Sequence, residues 1–434
     1  MSSRFRKSFA LALLTATTFT GLTGYPVAVA NPLQEPVSEL SSKEQEDSAF
    51  GVPQVHSSLM GLHSGPAIVE HDGAPVPQPF DETYLGGYIS DLSAYSYGVY
   101  FDVIDGFEDL RANHPEVLKR NMDIVVDYNN NSSAERIAIA QNDALADRRG
   151  VVNATADALG PSAAEALRTS IAEGRLPKTM FLLGNGYASR AGGLASSTFV
   201  EKFVYGYDRP FVQEPDRIIR HQIGDRDLYG TTPSFPSGHT NQATWITTLM
   251  AMMLPEMGPQ LLERGSMSGE SRLVMGVHFP LDVTAGRMAG TAAAADRLND
   301  PKMNDAIRQA AQELRAELEW RTGKSIEELA AEARAITSDD AAVAAYTERM
   351  DYGFEPLYDQ NAPMIVPQAA PVLLETAHPE LDWFQRAEVL RQTAYRAGQP
   401  LDNQTEEGSW HRLNLAAAWA ADVTVNPDGS VTVR

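Results

Sequence analysis

Residues 236–254 read Pro-Ser-Gly-His-Thr-Asn-Gln-Ala-Thr-Trp-Ile-Thr-Thr-Leu-Met-Ala-Met-Met-Leu. A serine followed by a mostly apolar run is a helix start, and the pattern predicts a helix over Thr240–Leu254. Its apolar portion, Ala243–Leu254, holds only 12 residues and three threonines. That is short of the roughly 20 residues needed to cross a bilayer, so it reads as a buried helix. The helix N-terminus offers unpaired backbone N–H groups and the positive end of the helix dipole. Gly238 lets a ligand approach that backbone closely. Ser237 adds a hydroxyl donor, and His239 adds a group that exchanges protons near neutral pH. A serine cap beside a surface histidine accounts for the same tetrapeptide equally well, so its meaning depends on the flanking segments.

Upstream, Lys202 is followed after six residues by Arg209-Pro210. Downstream, Ser271-Arg272 is followed after five residues by His278 and after three more by Asp282. Pro280 suits a first helical turn, which predicts a helix over Asp282–Ala295. Four residues separate His278 from Asp282, a spacing that can set a carboxylate against one imidazole nitrogen and leave the other free. An exposed ion pair is the competing reading of that spacing. Two guanidinium groups and one ammonium can surround the equatorial oxygens of a phosphoryl group and hold its charge during transfer. Zinc is disfavoured, because no third histidine lies nearby and the surrounding cations would repel a metal.

In this order the three blocks resemble the signature of the type-2 phosphatidic-acid phosphatase superfamily. That group includes secreted bacterial class A (non-specific) acid phosphatases, lipid phosphate phosphatases and vanadium haloperoxidases. Every motif position is filled, and the gaps of 25 residues (Pro210 to Pro236) and 31 residues (His239 to Ser271) suit it. The resemblance implies an all-α fold, a helical-bundle phosphatase/haloperoxidase-like core over residues 80–300. It implies that His278 is the nucleophile, forming a phosphohistidine, that Asp282 orients it, and that His239 is the acid and then the base. Lys202, Arg209, Ser237, Gly238 and Arg272 would bind phosphate, with no metal and no cofactor. The implied activity is a secreted, metal-independent acid phosphatase acting on phosphate monoesters.

The rest of the chain sets the context. It has 434 residues, no cysteine, and 57 Asp+Glu against 35 Lys+Arg, a net charge of −22. Without cysteine there are no disulfides, thiolate nucleophiles or iron–sulfur clusters. The acidic balance argues against nucleic acid as a partner and favours a small phosphate ester over polyanions. Residues 1–30 read as a signal peptide, with Arg4, Arg6 and Lys7 ahead of a short apolar stretch and Ala28-Val29-Ala30 at the expected cleavage point. Cleavage would change the charge to −25 and predicts a secreted or periplasmic protein without integral membrane contact. Residues 31–79 read as a flexible leader rich in Pro, Ser, Glu and Gln.

Within residues 80–300 the pattern is helical. An alanine-rich stretch runs from Ser133 to Leu159, a second from Pro161 to near Gly174, and a short helix from Ala195 to Tyr205. Residues 301–434 form a C-terminal extension. It has a capping box at Ser325, a helix start at Ser338 and an irregular Pro-rich segment over 355–380. Its last strands, Asp422–Val425 and Ser430–Val433, flank the turn sequence Asn426-Pro427-Asp428-Gly429, which predicts a hairpin. Trp383–Ala397 and Trp410–Leu415 resemble a C-terminal stretch of larger secreted relatives. Trp410 and Arg412 either shape the site's mouth or pack against the helical domain.

Three other functions stay open at this level. A phosphatase acting on lipid-linked (pyro)phosphate would need an apolar groove, for which Trp245, Leu249, Met252 and Met253 are candidates, with core packing as their alternative use. A vanadate-dependent haloperoxidase would share the same pocket residues. An interaction protein on a decayed scaffold would have lost a motif position. Whether the chain forms a homo-oligomer is also open.

Overall fold

A computed structural model describes residues 66–81, 84, 100–146, 150–184, 189–192, 198–222 and 232–434. The expected signal peptide and most of the expected leader lie outside these residues. The fold is all-α with one small hairpin at its C-terminus.

The first helices are α1 (Phe107–Asn113), α2 (Pro115–Asn131) and α3 (Ala134–Ala144), the last capped by the Ser133 side chain. Next come α4 (Gly160–Ala172), α5 (Pro177–Leu183) and α6 (Phe199–Tyr205). The centre is α7 (Gly238–Met253), flanked by α8 (Gly258–Val274) and α9 (Pro280–Asn299). Five more helices follow: α10 (Pro301–Thr322), α11 (Ile326–Ile336), α12 (Asp339–Glu348), α13 (Trp383–Gln392) and α14 (Leu415–Ala420). Strands β1 (Val423–Val425) and β2 (Val431–Val433) pair antiparallel with Thr424 opposite Thr432.

Close backbone approach explains why α7 is so deeply covered. A Cβ on Gly265 of α8 would fall 2.2 Å from Thr247 Oγ1, and one on Gly269 would fall 2.9 Å from Thr240 Cγ2. On the other side, a Cβ on Gly286 of α9 would fall 2.5 Å from the Ser237 carbonyl oxygen, and one on Gly290 2.6 Å from that of Asn241. Two Gly-x-x-x-Gly pairs thus clamp one helix between two others. Trp245, Leu249, Met252 and Met253 are all buried in the core, which favours their packing role over a groove.

Buried ion pairs tie the surrounding helices to this centre. Arg264 of α8 holds Asp143 of α3 at 2.7 Å. Arg175, before α5, holds Glu317 of α10 at 2.7 Å. The same Arg175 donates to the carbonyls of Val69 and Pro75, and Val69 N–H donates to Glu173, so residues 66–79 of the expected flexible leader instead lie packed against α4 and α10. The core is continuous from Phe80 to Val431, and Asp300 both ends α9 and caps α10 through Lys302 N–H and Met303 N–H.

Several sequence expectations need refinement. The alanine-rich stretch from Ser133 to Leu159 is not one helix. α3 ends at Ala144, Gly150 takes φ +88°, and only a turn (Val151–Ala154) and a 3-10 segment (Ala156–Leu159) follow. Gly160 at φ +79° then starts α4 in a place where a Cβ would lie 3.0 Å from Ala333 N. The helix expected over Asp282–Ala295 is longer at both ends, because Pro280 occupies its first turn and Phe279 its cap. Residues 195–197 of the expected Ala195–Tyr205 helix lie outside the described residues, while its end at Gly206 (φ +53°) is as expected. The caps at Ser325 and Ser338 and the hairpin match the reading. The segment 355–380 is irregular apart from a 3-10 turn at Ala370–Leu374.

The α7–α9 contact is testable. Gly286→Ala forces a methyl against a backbone carbonyl that cannot swing away, so the variant should lose about 1–3 kcal/mol of stability. Gly323→Ala meets no neighbour and carries only its positive φ (+66°), a strain of about 1–2 kcal/mol. Urea unfolding of both variants measures the difference. A Gly286→Ala protein as stable as wild type would contradict the clamp.

Candidate active site

The site forms where four segments meet at the N-terminal end of α7. Residues 232–237 are pinned by Phe235, which stacks on Phe107 at 3.8 Å and meets Tyr205 edge-on at 4.8 Å. Ser237 then caps α7: its Oγ accepts from Thr240 N–H at 3.3 Å and from Thr240 Oγ1 at 2.8 Å. Its own N–H donates to the Asp282 carbonyl at 2.9 Å, which fixes the start of α7 on the first turn of α9.

Asp282 is fully buried, and its Oδ2 is the hub. It accepts from Phe279 N–H at 2.9 Å, from Ser234 Oγ–H, and pairs with His278 Nδ1 at 3.1 Å. Because a carboxylate accepts, Nδ1 carries the His278 proton. The other ring nitrogen, Nε2, lies 3.2 Å from Arg209 Nη1, whose N–H makes it the acceptor. The exposed ion-pair reading of the His278–Asp282 spacing is therefore overturned, since His278 is 1% exposed.

The cations converge on the same place. Arg209, at the start of the turn Pro210–Gln213, is buried and anchored by the carbonyls of Thr232 (2.8 Å) and Val277 (2.7 Å) and by Thr232 Oγ1 (2.8 Å). Lys202 of α6 donates to the carbonyls of Pro233 and Ser234, both at 2.8 Å. Arg272, in the last turn of α8, is fully buried and donates to the Ala140 carbonyl at 3.2 Å. Glu201, beside Lys202, is buried and accepts from Tyr100 N–H at 2.9 Å.

Burial and these cations set the protonation states. Burial first, then Arg209 and Lys202, holds the His278 imidazole well below the usual histidine range. Burial, then Arg272 and Arg209, does the same to His239. Burial, reinforced by Arg209, also lowers the Lys202 ammonium well below its ordinary value. Burial pushes the Asp282 carboxyl up to about 6, against the Ser234 and Phe279 hydrogen bonds and the charges of Lys202 and Arg209.

All eight residues singled out in the sequence, Lys202, Arg209, Ser237, Gly238, His239, Arg272, His278 and Asp282, thus belong to one cluster. Ser271 is a motif residue that turns away from it. Its Oγ donates to Asp143 Oδ2 at 2.7 Å and accepts from Arg136 at 3.0 Å, so it locks α8 to α3. Trp410 is buried in the core, and Arg412 donates to the carbonyls of Tyr395 and Ala362 within the C-terminal extension. The sequence reading missed Ser234, the donor to Asp282, and Thr232, which anchors Arg209. Neither is marked by spacing or periodicity; both follow only from the fold.

A helix N-terminus, an oriented imidazole, two buried guanidinium groups and a half-buried lysine define a class of site suited to a phosphoryl-sized oxyanion. Comparison with known proteins agrees: residues 181–301 match the PAP2 superfamily. The chain is 30% identical over 138 residues to a non-specific acid phosphatase of Salmonella typhi, covering 32% of this chain and 53% of the relative. It is 29% identical over 181 residues to a non-specific acid phosphatase of Providencia stuartii (42% and 68%). It is also 37% identical over 78 residues to an acid phosphatase of Zymomonas mobilis subsp. mobilis (18% and 29%). The chain spans about half the length of the Salmonella typhi relative. The resemblance to class A acid phosphatases therefore holds for the helical domain.

Ser234→Ala tests the hub. It removes a donor to a buried carboxylate and should cost about 1–3 kcal/mol at neutral pH. The hydrogen bond favours the charged form, so its loss raises the Asp282 pKa above about 6. In the folded state that pKa already exceeds its unfolded value. The group's contribution therefore weakens as pH rises from about 4 through 6, and over a wider window in the variant. Urea unfolding should show a larger deficit at pH 7 than at pH 4. An equal deficit at both would show that Ser234 does not act on the carboxylate.

Proposed function

We propose that this protein is an exported acid phosphatase that hydrolyses phosphate monoesters through a phosphohistidine. The observation that carries the reading is the His278 ring, with Nδ1 held by Asp282 and Nε2 beside the Arg209 guanidinium. The acid phosphatase relatives support it, as do the charges at Arg4, Arg6 and Lys7 ahead of an apolar stretch. Among the described residues no helix is long and apolar enough to cross a membrane.

In the proposed reaction, His278 Nε2 attacks phosphorus and the bond to the ester oxygen breaks. The leaving alkoxide takes a proton from His239. Water then attacks the phosphohistidine, gives its proton to His239, and displaces the imidazole as orthophosphate forms. Arg209, Arg272, Lys202 and the N-terminal N–H groups of α7 hold the equatorial oxygens, and their fixed charge serves without a metal ion.

The electrostatics divide the two histidines. The nucleophile must be neutral, and its lowered pKa keeps it so in mildly acidic solution. The acid must be protonated, yet the same cations also depress His239. A bound phosphate ester adds negative charge among them and favours the imidazolium of His239, so the proton is taken up when substrate arrives. Lys202 regains its full charge by the same logic. The acid catalyst is thus recruited by substrate, which favours turnover below neutral pH.

Purified protein should hydrolyse small phosphate esters with orthovanadate sensitivity and resistance to chelators, and His278→Ala should abolish the activity. Arg272→Met should lower kcat/KM by about a hundredfold or more, the loss of one oxyanion donor. Full hydrolysis by His278→Ala would reject the mechanism, and chelator-sensitive turnover would reject its metal independence.

A further inference from the structure

Behind the catalytic cluster, between α7, α8, α9 and α12, lies a cavity lined by Thr248, Arg287, Tyr346 and Tyr352 among others. Its volume is about 10 Å³, enough for one occupant of water or chloride size and far too little for phosphate. Arg287 Nε and Nη1, Tyr352 Oη and Thr248 Oγ1 are buried without a partner in hydrogen-bond geometry, and the Tyr346 hydroxyl lies against the Arg287 guanidinium. Arg287 is 5% exposed. Its Nη2 donates to the carbonyls of Met350 and His411, and no carboxylate among the described residues pairs with it.

The neighbouring charges make this cation unusual. Arg349, also on the cavity wall, is neutralised by Glu263 and Glu270, and Arg136 shares Glu270. Three guanidinium groups therefore face two carboxylates in this region, and Arg287 is the one left over. His411 does not compensate, because burial and Arg287 keep its imidazole from protonating. A water molecule would satisfy hydroxyls but leave the guanidinium charge uncompensated in a dry interior, where an unpaired charge is costly. Tyr352 reaches the cavity from a left-handed backbone conformation (φ +53°), so the loop after α12 is bent to present it.

We propose that this cavity is a structural site for one monovalent anion of chloride size. Arg287 Nε and Nη1 bind it, and the hydroxyls of Tyr346, Tyr352 and Thr248 complete its shell. The anion joins α9, five residues beyond Asp282, to α12 and the loop after it, and so links the C-terminal extension to the helix that carries the catalytic carboxylate. The site is independent of the phosphatase reading, because it shares no residue with the cationic pocket.

The test is thermal unfolding of the full chain in sodium chloride or bromide against sodium gluconate at equal ionic strength. An anion held only by the folded state should raise Tm with halide concentration, linearly in its logarithm above Kd. Arg287→Met should remove that dependence. Should this variant fail to fold, Tyr346→Phe and Tyr352→Phe should each raise the halide concentration needed by about fivefold, the loss of one hydrogen bond. Halide could also settle among Lys202, Arg209 and Arg272, so crystals grown in bromide locate it by anomalous scattering. Bromide beside Arg287 supports the site. Equal Tm in halide and gluconate, an unchanged dependence in Arg287→Met, or bromide confined to the cationic pocket overturns it.

Discussion

The Asp282 residue, with both its backbone and its side chain, is the constraint on which the site depends. Its carbonyl accepts the Ser237 N–H and so places the N-terminus of α7. Its carboxylate caps α9 through Phe279 N–H, holds His278, and accepts from Ser234. Anion-binding backbone, imidazole and the 232–237 segment are thus referenced to one residue rather than to one another. The glycine clamp makes this possible. Only with hydrogen at Gly286 can α9 come close enough to touch the Ser237 carbonyl, and the same proximity brings Asp282 within reach of the Ser237 N–H.

Gathering Lys202, Arg209 and Arg272 in one place is costly, and backbone dipoles offset part of that cost. Carbonyls of Pro233, Ser234, Thr232, Val277 and Ala140 take the N–H donors. Carbonyls orient these cations through dipoles that carry no net charge. At Arg175–Glu317 and Arg264–Asp143 the partner is a carboxylate, and the role is structural.

Legibility in the sequence follows the range of the interaction. The caps at Ser237, Ser325 and Ser338, the first-turn Pro280 and the terminal hairpin are local, and each was readable from a few neighbouring residues. The cluster residues were readable as a motif because their spacing survives in the chain. Ser234 and Thr232 were not, since their partners lie 48 and 23 residues away and no periodicity marks them. The alanine-rich stretch misled for a related reason. Helix propensity is a weak preference, and Gly150 and Gly160 bend the chain for contacts that only the folded protein contains.

The net charge of −22 and a site for an oxyanion are reconciled by depth. Potential in a buried pocket is set by groups a few ångströms away, because distant surface charges are screened within about 10 Å at 0.1 M salt. Arg209 is 4% and Arg272 0% exposed, so both lie away from the solvent-screened surface. The acidic exterior acts earlier, on approach. A long polyanion must bring many charges near that surface before one phosphate reaches the pocket, whereas a small ester brings only its own. On the proposed function, the same sequence feature that argues against nucleic acid as a partner would act as a filter on size and charge, and leave the affinity of the site untouched.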